Sequence, residues 1–493
     1  WFCTQIAEYV LLGNHRRPEG IGLDDCLTRY GIANKGKVIS AMLKAGVCPS
    51  EMPEEWVAKY CETDVTSTHE LFLQQREELF QTEQHKVFYT KCLQTPILVD
   101  IETRGMQLDK DRVAELHEVK TNELARAEGE LAEITGGINP RSAKQMGEFL
   151  YEALGFDELR DKRGNPIRTN GDKPRTSQEV IGGLKAVNNT QRNFLTVKKR
   201  QGKLNGQVTK YLDKFQECCE VDKGLLLGTI NQCITKTGRY SSTGKKYKAQ
   251  FQNFDRTFKP LFTARKDGWF IGEADEAQLE FRTAVFFGQD AQGFADVEAR
   301  ADVHAYTASI IGCSRQNAKA HTFKPLYGGQ SGTANEVKYY KAFREKYVTA
   351  TQDKWVEDAI KNRQVTLHTG QRFYYPHIKI SRSGYVEGNT NVRNYPVQYL
   401  ATAEIVPIAL VYAWYLLKDR GLESFIVNTI HDSIICEVHP EEVAPWQEVM
   451  KDALEDRCLV YMEDLYDLKF NVPLEADCKV GSHWAEPDGG FII

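Results

Sequence analysis

Strand-forming runs occur at two places far apart in this chain, with helical pattern between them. Leu225–Ile230 and Trp269–Ala274 form one pair of short apolar runs, and Phe425–Ile430 and Ile434–Val438 form the other. Residues 301–362 between them read as helices. A sheet assembled from both pairs leaves the intervening helices as an insertion beside it. The pattern therefore predicts a cleft with the sheet as its floor. At 493 residues the chain exceeds one ordinary core, and about three subdomains are expected.

Upstream of the strands the pattern is helical. Residues 1–90 are mostly helical, and residues 111–133 form a charged amphipathic helix that Gly136-Gly137 should end. A polar stretch from Asp161 to Thr176 reads as an exposed loop or hairpin, followed by a basic helix from about Gln178 to Phe215. The longest apolar run, Ile405 to Leu417, is interrupted by Pro407 and is shorter than the ~20 residues of a membrane span, so a buried helix and no membrane are expected. A net charge of −5 excludes an overall basic surface. Local patches can still meet a polyanion, at Lys198-Lys199-Arg200 with Lys203 and at Lys245-Lys246 with Lys248; solvated surface lysines give the same pattern. Twelve cysteines without CxxC pairs or histidines at zinc spacing argue against a disulfide scaffold and for a reducing cytoplasm. The chain opens at Trp1 without a signal peptide, which suggests a fragment or a processed product.

Two constellations carry chemistry. Arg315, Lys319, Phe323 and Tyr327 follow one another in steps of four. On a helix that spacing keeps them near one face, drifting about 40° per step. Cations early in a helix oppose the macrodipole, and make sense where an anion docks on the helix N-terminus. The rings further along can cover a base and a sugar, so the face suits a nucleoside triphosphate. An ordinary amphipathic helix with a solvated basic edge has the same spacing. Pro325 should kink or loosen the helix, leaving Tyr327 and Gly328-Gly329 at a hinge. The second constellation is a carboxylate pair. Asp275 ends a strand-like run where a helix, Leu279 to Phe287, begins; Asp432 lies in the tip His431-Asp432-Ser433 of a tight hairpin. Such a tip beside a strand end can bring two carboxylates within metal-bridging distance, as phosphoryl transfer requires. Taken singly, each also reads as a capping or a turn aspartate.

Together these segments resemble family A DNA polymerases, the bacterial DNA polymerase I family including its phage members, from about Tyr60 to the C-terminus. Asp275-Glu-Ala-Gln-Leu-Glu-Phe-Arg282 is similar to motif A, usually Asp-Tyr-Ser-Gln-Ile-Glu-Leu-Arg. Arg315, Lys319, Phe323, Tyr327 and Gly328 match motif B, and His431-Asp432 matches motif C. Thr237-Gly-Arg-Tyr-Ser-Ser242, Phe251-Gln-Asn253, Asp302-Val-His304 and Asn394-Tyr-Pro-Val-Gln398 match further elements in the family's order. Ile101–Asp109 and Arg141–Gln145 resemble thumb segments.

The resemblance implies an α+β right hand: an antiparallel palm sheet with helical fingers and a helical thumb, plus a truncated, mostly helical exonuclease-domain remnant. The expected divisions are 1–90 remnant, 91–220 thumb, 221–290 palm, 291–375 fingers and 376–493 palm. It implies template-directed transfer of deoxynucleotides from dNTPs to a primer 3′-OH, releasing pyrophosphate, by a monomer acting on primer–template DNA. Asp275 and Asp432, with the backbone carbonyl of Glu276, would hold two Mg²⁺ ions, Mn²⁺ being able to substitute. Arg315, Lys319 and His304 would contact the triphosphate, with Lys319 also a candidate general acid. Phe323 would pack on the sugar, Tyr327 near the templating position, and Gln278 also in the nucleotide site. Glu280 would exclude a ribose 2′-OH. Arg239, Gln252, Asn253, Asn394, Gln398 and His431 would touch the primer–template, and Lys198, Lys199 and Arg200 would grip duplex phosphates.

The departures are informative. Ser433 stands where many relatives have Glu, Glu276-Ala277 replace Tyr-Ser, and Pro325 interrupts the fingers helix; these tilt the reading towards a phage member. Tyr60 and Asp64 resemble the third proofreading motif, Tyr-x-x-x-Asp, but no upstream Asp-x-Glu is seen, so no 3′→5′ exonuclease activity is expected of this chain. The alternatives are a catalytically decayed primer–template-binding protein, with Ser433 or Pro325 marking decay, and a single-subunit RNA polymerase, against which Glu280 argues.

Overall fold

The computed structural model describes residues 1–484 apart from 16–19, 34–36, 141, 162–163, 170, 172, 174, 245, 248–249, 253, 348–349 and 383. Its centre is a four-stranded antiparallel sheet of β1 (Phe270–Glu276), β2 (Phe425–Ile430), β3 (Ser433–Val438) and β4 (Ala476–Gly481), in the order β4-β1-β3-β2. The sheet joins the run Trp269–Ala274 to both runs of the distant pair, but the other expected member, Leu225–Ile230, lies outside it: Leu225–Leu226 pairs with Met106–Leu108 and Gly228–Asn231 with Ser241–Gly244, and β4 takes the edge instead. Behind it, Trp446 is fully buried, and its ring packs where Gly272 has no side chain: a Cβ there would lie 2.6 Å from Trp446 Cζ2 and 2.8 Å from Val438 Cγ2.

The helices obey local rules at most of their ends. Asp109 caps Lys110–Thr135 by accepting from the Asp111 and Arg112 amides, and Gly136 closes it in the left-handed region at φ 70°. The single basic helix expected over 178–215 is divided. Gln178–Gly183 stops, and Asn188 starts a new helix, Asn189–Gln207, by accepting from the Gln191 amide at 2.8 Å. The chain then continues through a π turn at Val208–Leu212 into Asp213–Val221.

One boundary moves. The division expected between residues 90 and 91 falls inside helix His85–Arg104. Val87, Cys92, Ile97, Leu98 and Ile101 on that helix are buried in the same core as the central sheet, so the helix packs as one unit with that sheet. The N-terminal helices are also tied to the hairpin Gln364–Tyr374: Asn14 Oδ1 accepts from the Tyr374 amide at 2.5 Å.

The apolar run at 405–417 is part of a longer helix, Asn389–Asp419. By length and composition that helix could cross a membrane, but 78% of its apolar window is buried inside the fold. It crosses the core, and Ala401, Ala409, Leu410 and Ala413 are wholly enclosed. Leu400–Ile405 within it is a π turn, two residues before Pro407. Pro407 has no N–H to donate into the helix, and the wider turn absorbs that break.

Gly272→Ala should lower stability by about 1–3 kcal/mol, because the new methyl must displace the Trp446 ring in a close-packed core. Denaturant unfolding followed by tryptophan fluorescence measures it, and an unchanged midpoint would refute the packing account.

Candidate active site

Asp275 lies near the end of β1, and Asp432 is the second residue of the two-residue turn between β2 and β3. His431, the first turn residue, takes φ 55°, as such tight hairpins demand. Ser433 is the ladder partner of Asp275, and the Glu276 amide donates to the Asp432 carbonyl at 3.3 Å. Backbone pairing thus sets the two aspartates side by side. The surrounding protein, then the Asp432 charge, then Glu273 push the Asp275 carboxyl up to about 8, with Lys259 opposing. Asp432 is also raised, chiefly by burial. Like charges this close are not both ionised without a cation between them.

Strand alternation turns the neighbouring Glu276 side chain the other way, into the core, where it is 2% exposed. Burial holds its carboxyl well above the usual range, and neither oxygen has a hydrogen-bond partner among the described residues. Only its backbone carbonyl is left to serve the cleft. Among the described residues no group of three or more His, Cys, Asp or Glu side chains has metal-ligand geometry. Two hard carboxylates with a carbonyl oxygen beside them fit a hard divalent cation, with water or phosphate completing the shell. Sequence reasoning missed Asp477, the ladder partner of Asp275 on β4, and Lys259, which pairs with Glu273 at 3.1 Å. Spacing along the chain carried no signal for either.

A second cluster, of basic side chains, lies on the helical insertion. Ser314 Oγ caps helix Arg315–Thr322 by accepting from the Asn317 amide at 3.3 Å. Asp302 caps the preceding helix, Val303–Ile311, through one oxygen and takes Arg315 Nε on the other at 2.5 Å. Lys319 is exposed one turn on. His304 Nδ1 lies 2.9 Å from Thr322 Oγ1, and burial with the charges of Arg315 and Lys319 lowers its pKa. These three cationic candidates are one cluster. The helix, however, ends at Thr322, earlier than the spacing of four implied. Pro325 cannot continue it, and residues 323–328 run as successive turns to Gly328 at φ 82°. Tyr327 is thus not on the helical face of Arg315 and Lys319.

The two rings still border the cleft. Phe323 stacks on Phe281 at 6.4 Å and meets the His304 ring edge-on at 5.6 Å. Tyr327 is buried, and its hydroxyl donates to Glu280 Oε2 at 3.0 Å. The other Glu280 oxygen is ion-paired with Arg239 Nη2, while Arg239 Nε donates to Thr402 Oγ1 at 2.6 Å. Glu280 is therefore held on both oxygens. Gln278 sits at φ 54° and its side-chain Nε2 donates to the Ala301 carbonyl at 3.3 Å, joining motif A to the base of the helical insertion.

The family model for DNA polymerase family A matches residues 110–486. The chain belongs to DNA polymerase family A. DNA polymerase I of Bacillus caldotenax is 25% identical over 446 residues, covering 83% of this chain and 47% of that protein. DNA polymerase I of Aquifex aeolicus is 24% identical over 556 residues, covering 98% of this chain and 84% of that one. The thermostable DNA polymerase I of Thermus filiformis is 26% identical over 418 residues, covering 79% and 47%. This family A chain spans about half the length of most of the curated relatives it matches. Its fold is similar to the POL domain of Pol1 from M. smegmatis in complex with DNA primer-template and dNTP, with a TM-score of 0.76, 20% identity, and 98% and 82% of the two chains covered.

The DNA-facing expectations for this family A member divide. An open groove of about 570 Å³ runs between helix Asn189–Gln207 with the turn after it and the β2–β3 turn; Lys203, Lys210, Gln252 and His431 line it. Lys198 does not face it. That side chain is 9% exposed, and its ammonium donates to the Pro140 carbonyl at 3.1 Å and to Gln201 Oε1 at 2.8 Å, because this face of the helix packs inward. Lys199 is exposed with a long 3.4 Å contact to the Gly182 carbonyl, and Arg200 is paired with Glu130. Gln252 is 5% exposed and braces the fold through the Thr429 carbonyl. Asn394 lies against the Tyr327 hydroxyl, and Gln398 is half-buried one turn on. Asn253, Lys245 and Lys248 lie outside the described residues; Lys246 is paired with Asp222 at 2.8 Å. Tyr60 and Asp64 are half-buried one turn apart on helix Glu54–Gln81.

A carboxyl that binds its proton more tightly when folded makes folding weaker as pH rises from the ordinary carboxylate range through, for Asp275, about 8. Without divalent metal, Asp275→Asn should therefore melt higher than the parent at about pH 9 and gain little at about pH 4. Calorimetry at the two pH values checks this; equal effects at both would refute the like-charge account.

Proposed function

We propose that this chain is a DNA-directed DNA polymerase that transfers deoxynucleotides from dNTPs to a primer 3′-OH and releases pyrophosphate. The observation that carries the reading is the juxtaposition of Asp275 and Asp432 across the β1–β3 ladder; the cluster of His304, Arg315 and Lys319, joined through the Phe323–Phe281 stack to the segment that follows Asp275, supports it. Asp275, Asp432 and the Glu276 carbonyl would hold divalent ions, Mg²⁺ first and Mn²⁺ as a substitute. Such ions would activate the primer hydroxyl and clamp the attacking and leaving oxygens.

The chain's own groups do the rest. Arg315 leaves Asp302 to meet the triphosphate, exchanging one anion for another. Lys319, which has no ion-pair partner among the described residues, neutralises the charge that builds on the leaving pyrophosphate and donates a proton to it. Phe323 supports the sugar. Glu280, fixed by Arg239 and Tyr327, meets a 2′ substituent and makes the enzyme deoxy-selective. Lys203 and Lys210, with the exposed Lys199 and Arg200, follow duplex phosphates, so binding weakens with salt. Residues 1–90 act as a scaffold, no proofreading chemistry is expected of them, and the enzyme works as a monomer in a bacterial cytoplasm.

Primer extension with dNTPs and Mg²⁺ should occur and fall by at least about 10³-fold in Asp432→Ala. Extension unchanged in that variant refutes the site, whereas primer–template binding with no incorporation at any metal concentration favours the decayed DNA-binding protein. Glu280→Ala should admit ribonucleotides, and retained exclusion in an rNTP/dNTP competition would remove Glu280 from that role.

A further inference from the structure

Helix Asn389–Asp419 carries a buried polar cluster that none of these steps uses. In an α-helix, residue i+5 lies about 140° round the axis from residue i, whereas a π turn brings the two into line. Tyr399 and Glu404 are five apart and flank the π turn Leu400–Ile405; the Tyr399 hydroxyl donates to Glu404 Oε1 at 2.6 Å. The π turn supplies the register in which that bond closes. The second Glu404 oxygen accepts from the Tyr466 hydroxyl at 3.1 Å, and Tyr466 pairs in turn with Thr90 Oγ1 at 2.7 Å. Glu404 is wholly buried, and so is Lys91 from helix His85–Arg104, whose ammonium lies 5.1 Å from the Tyr399 ring centre and attracts the Glu404 charge.

The same π turn carries Thr402. Its hydroxyl donates to the Gln398 carbonyl at 2.8 Å and accepts from Arg239 Nε at 2.6 Å. Without the extra residue in the turn, Thr402 would rotate by about one residue's angle, roughly 100°, away from Arg239. Arg239 is the group that holds one oxygen of Glu280.

We infer that Tyr399 and Glu404 are positioning residues for sugar selection: their hydrogen bond fixes the π turn that presents Thr402 to Arg239, and Arg239 sets the Glu280 carboxylate against the 2′ position of the incoming nucleotide. The inference rests on the polymerase reading. A cluster that only stabilised the fold would leave the ratio of ribonucleotide to deoxynucleotide use unchanged.

The test is single-turnover incorporation of dNTP and rNTP by the full chain and by Tyr399→Phe, Glu404→Gln, Thr402→Val and Thr402→Ser, each with its melting temperature. Tyr399→Phe and Thr402→Val should each raise the rNTP/dNTP ratio of kcat/KM about fivefold, the scale of one net hydrogen bond. Thr402→Ser, which keeps the hydroxyl, should retain the parent ratio. If Glu404→Gln does not fold, the other variants decide. An unchanged ratio in both Tyr399→Phe and Thr402→Val overturns the inference, even if both rates fall together, while leaving the polymerase reading intact. No dNTP extension by the parent chain overturns the polymerase reading and this inference with it.

Discussion

Backbone hydrogen bonds between β1 and β3 bring two aspartates from distant parts of the chain to one end of a sheet. The pairing of Ser433 with Asp275 is geometric and does not depend on the side chains it juxtaposes. It has to be, because those side chains repel: the Asp275 carboxyl is displaced to about 8 partly by its neighbour. The cost is carried by the packed layer behind the sheet, where Gly272 and Trp446 interlock. Every other group in the cleft is arranged around that forced proximity.

The basic side chains Arg315, Lys319 and His304 lie together on the helical insertion. Two of the charged groups are met by partners of opposite sign: Arg315 by Asp302, and Glu280 by Arg239. These pairs are partly exposed, where ion pairs contribute little to stability, so either member can exchange its partner for a competing ion at little cost.

The runs Trp269–Ala274, Phe425–Ile430 and Ile434–Val438, the two-residue hairpin and the first and last turns of helix Lys110–Thr135 were legible in the sequence, because period-two runs and capping residues are local signals. β4 was not read, and Leu225–Ile230 divides into two short strands of other sheets. The candidacy of the two aspartates was legible through the resemblance. Their proximity was not, since no local rule specifies a strand partner. Lys198 was misread because a cation run on an amphipathic helix does not reveal which lysine turns inward. The break expected at Pro325, with Tyr327 and Gly328 beyond it, is present as the turns over 323–328; only the spacing of four, which put Tyr327 on the helical face, ran past the helix end at Thr322. The π turn at Leu400–Ile405 escaped notice because a Tyr and a Glu five residues apart look unrelated on an α-helical wheel.

Helix His85–Arg104 sits where two roles meet. It continues directly from the N-terminal helices, yet its inner face is shared with the core under the sheet. Removing that helix would strip one side of the apolar core it shares with β2 and helix Asn389–Asp419. Its inner face is therefore fixed by packing alone, and the chain would tolerate change on the outer surface of this helix far more readily than loss of the helix itself.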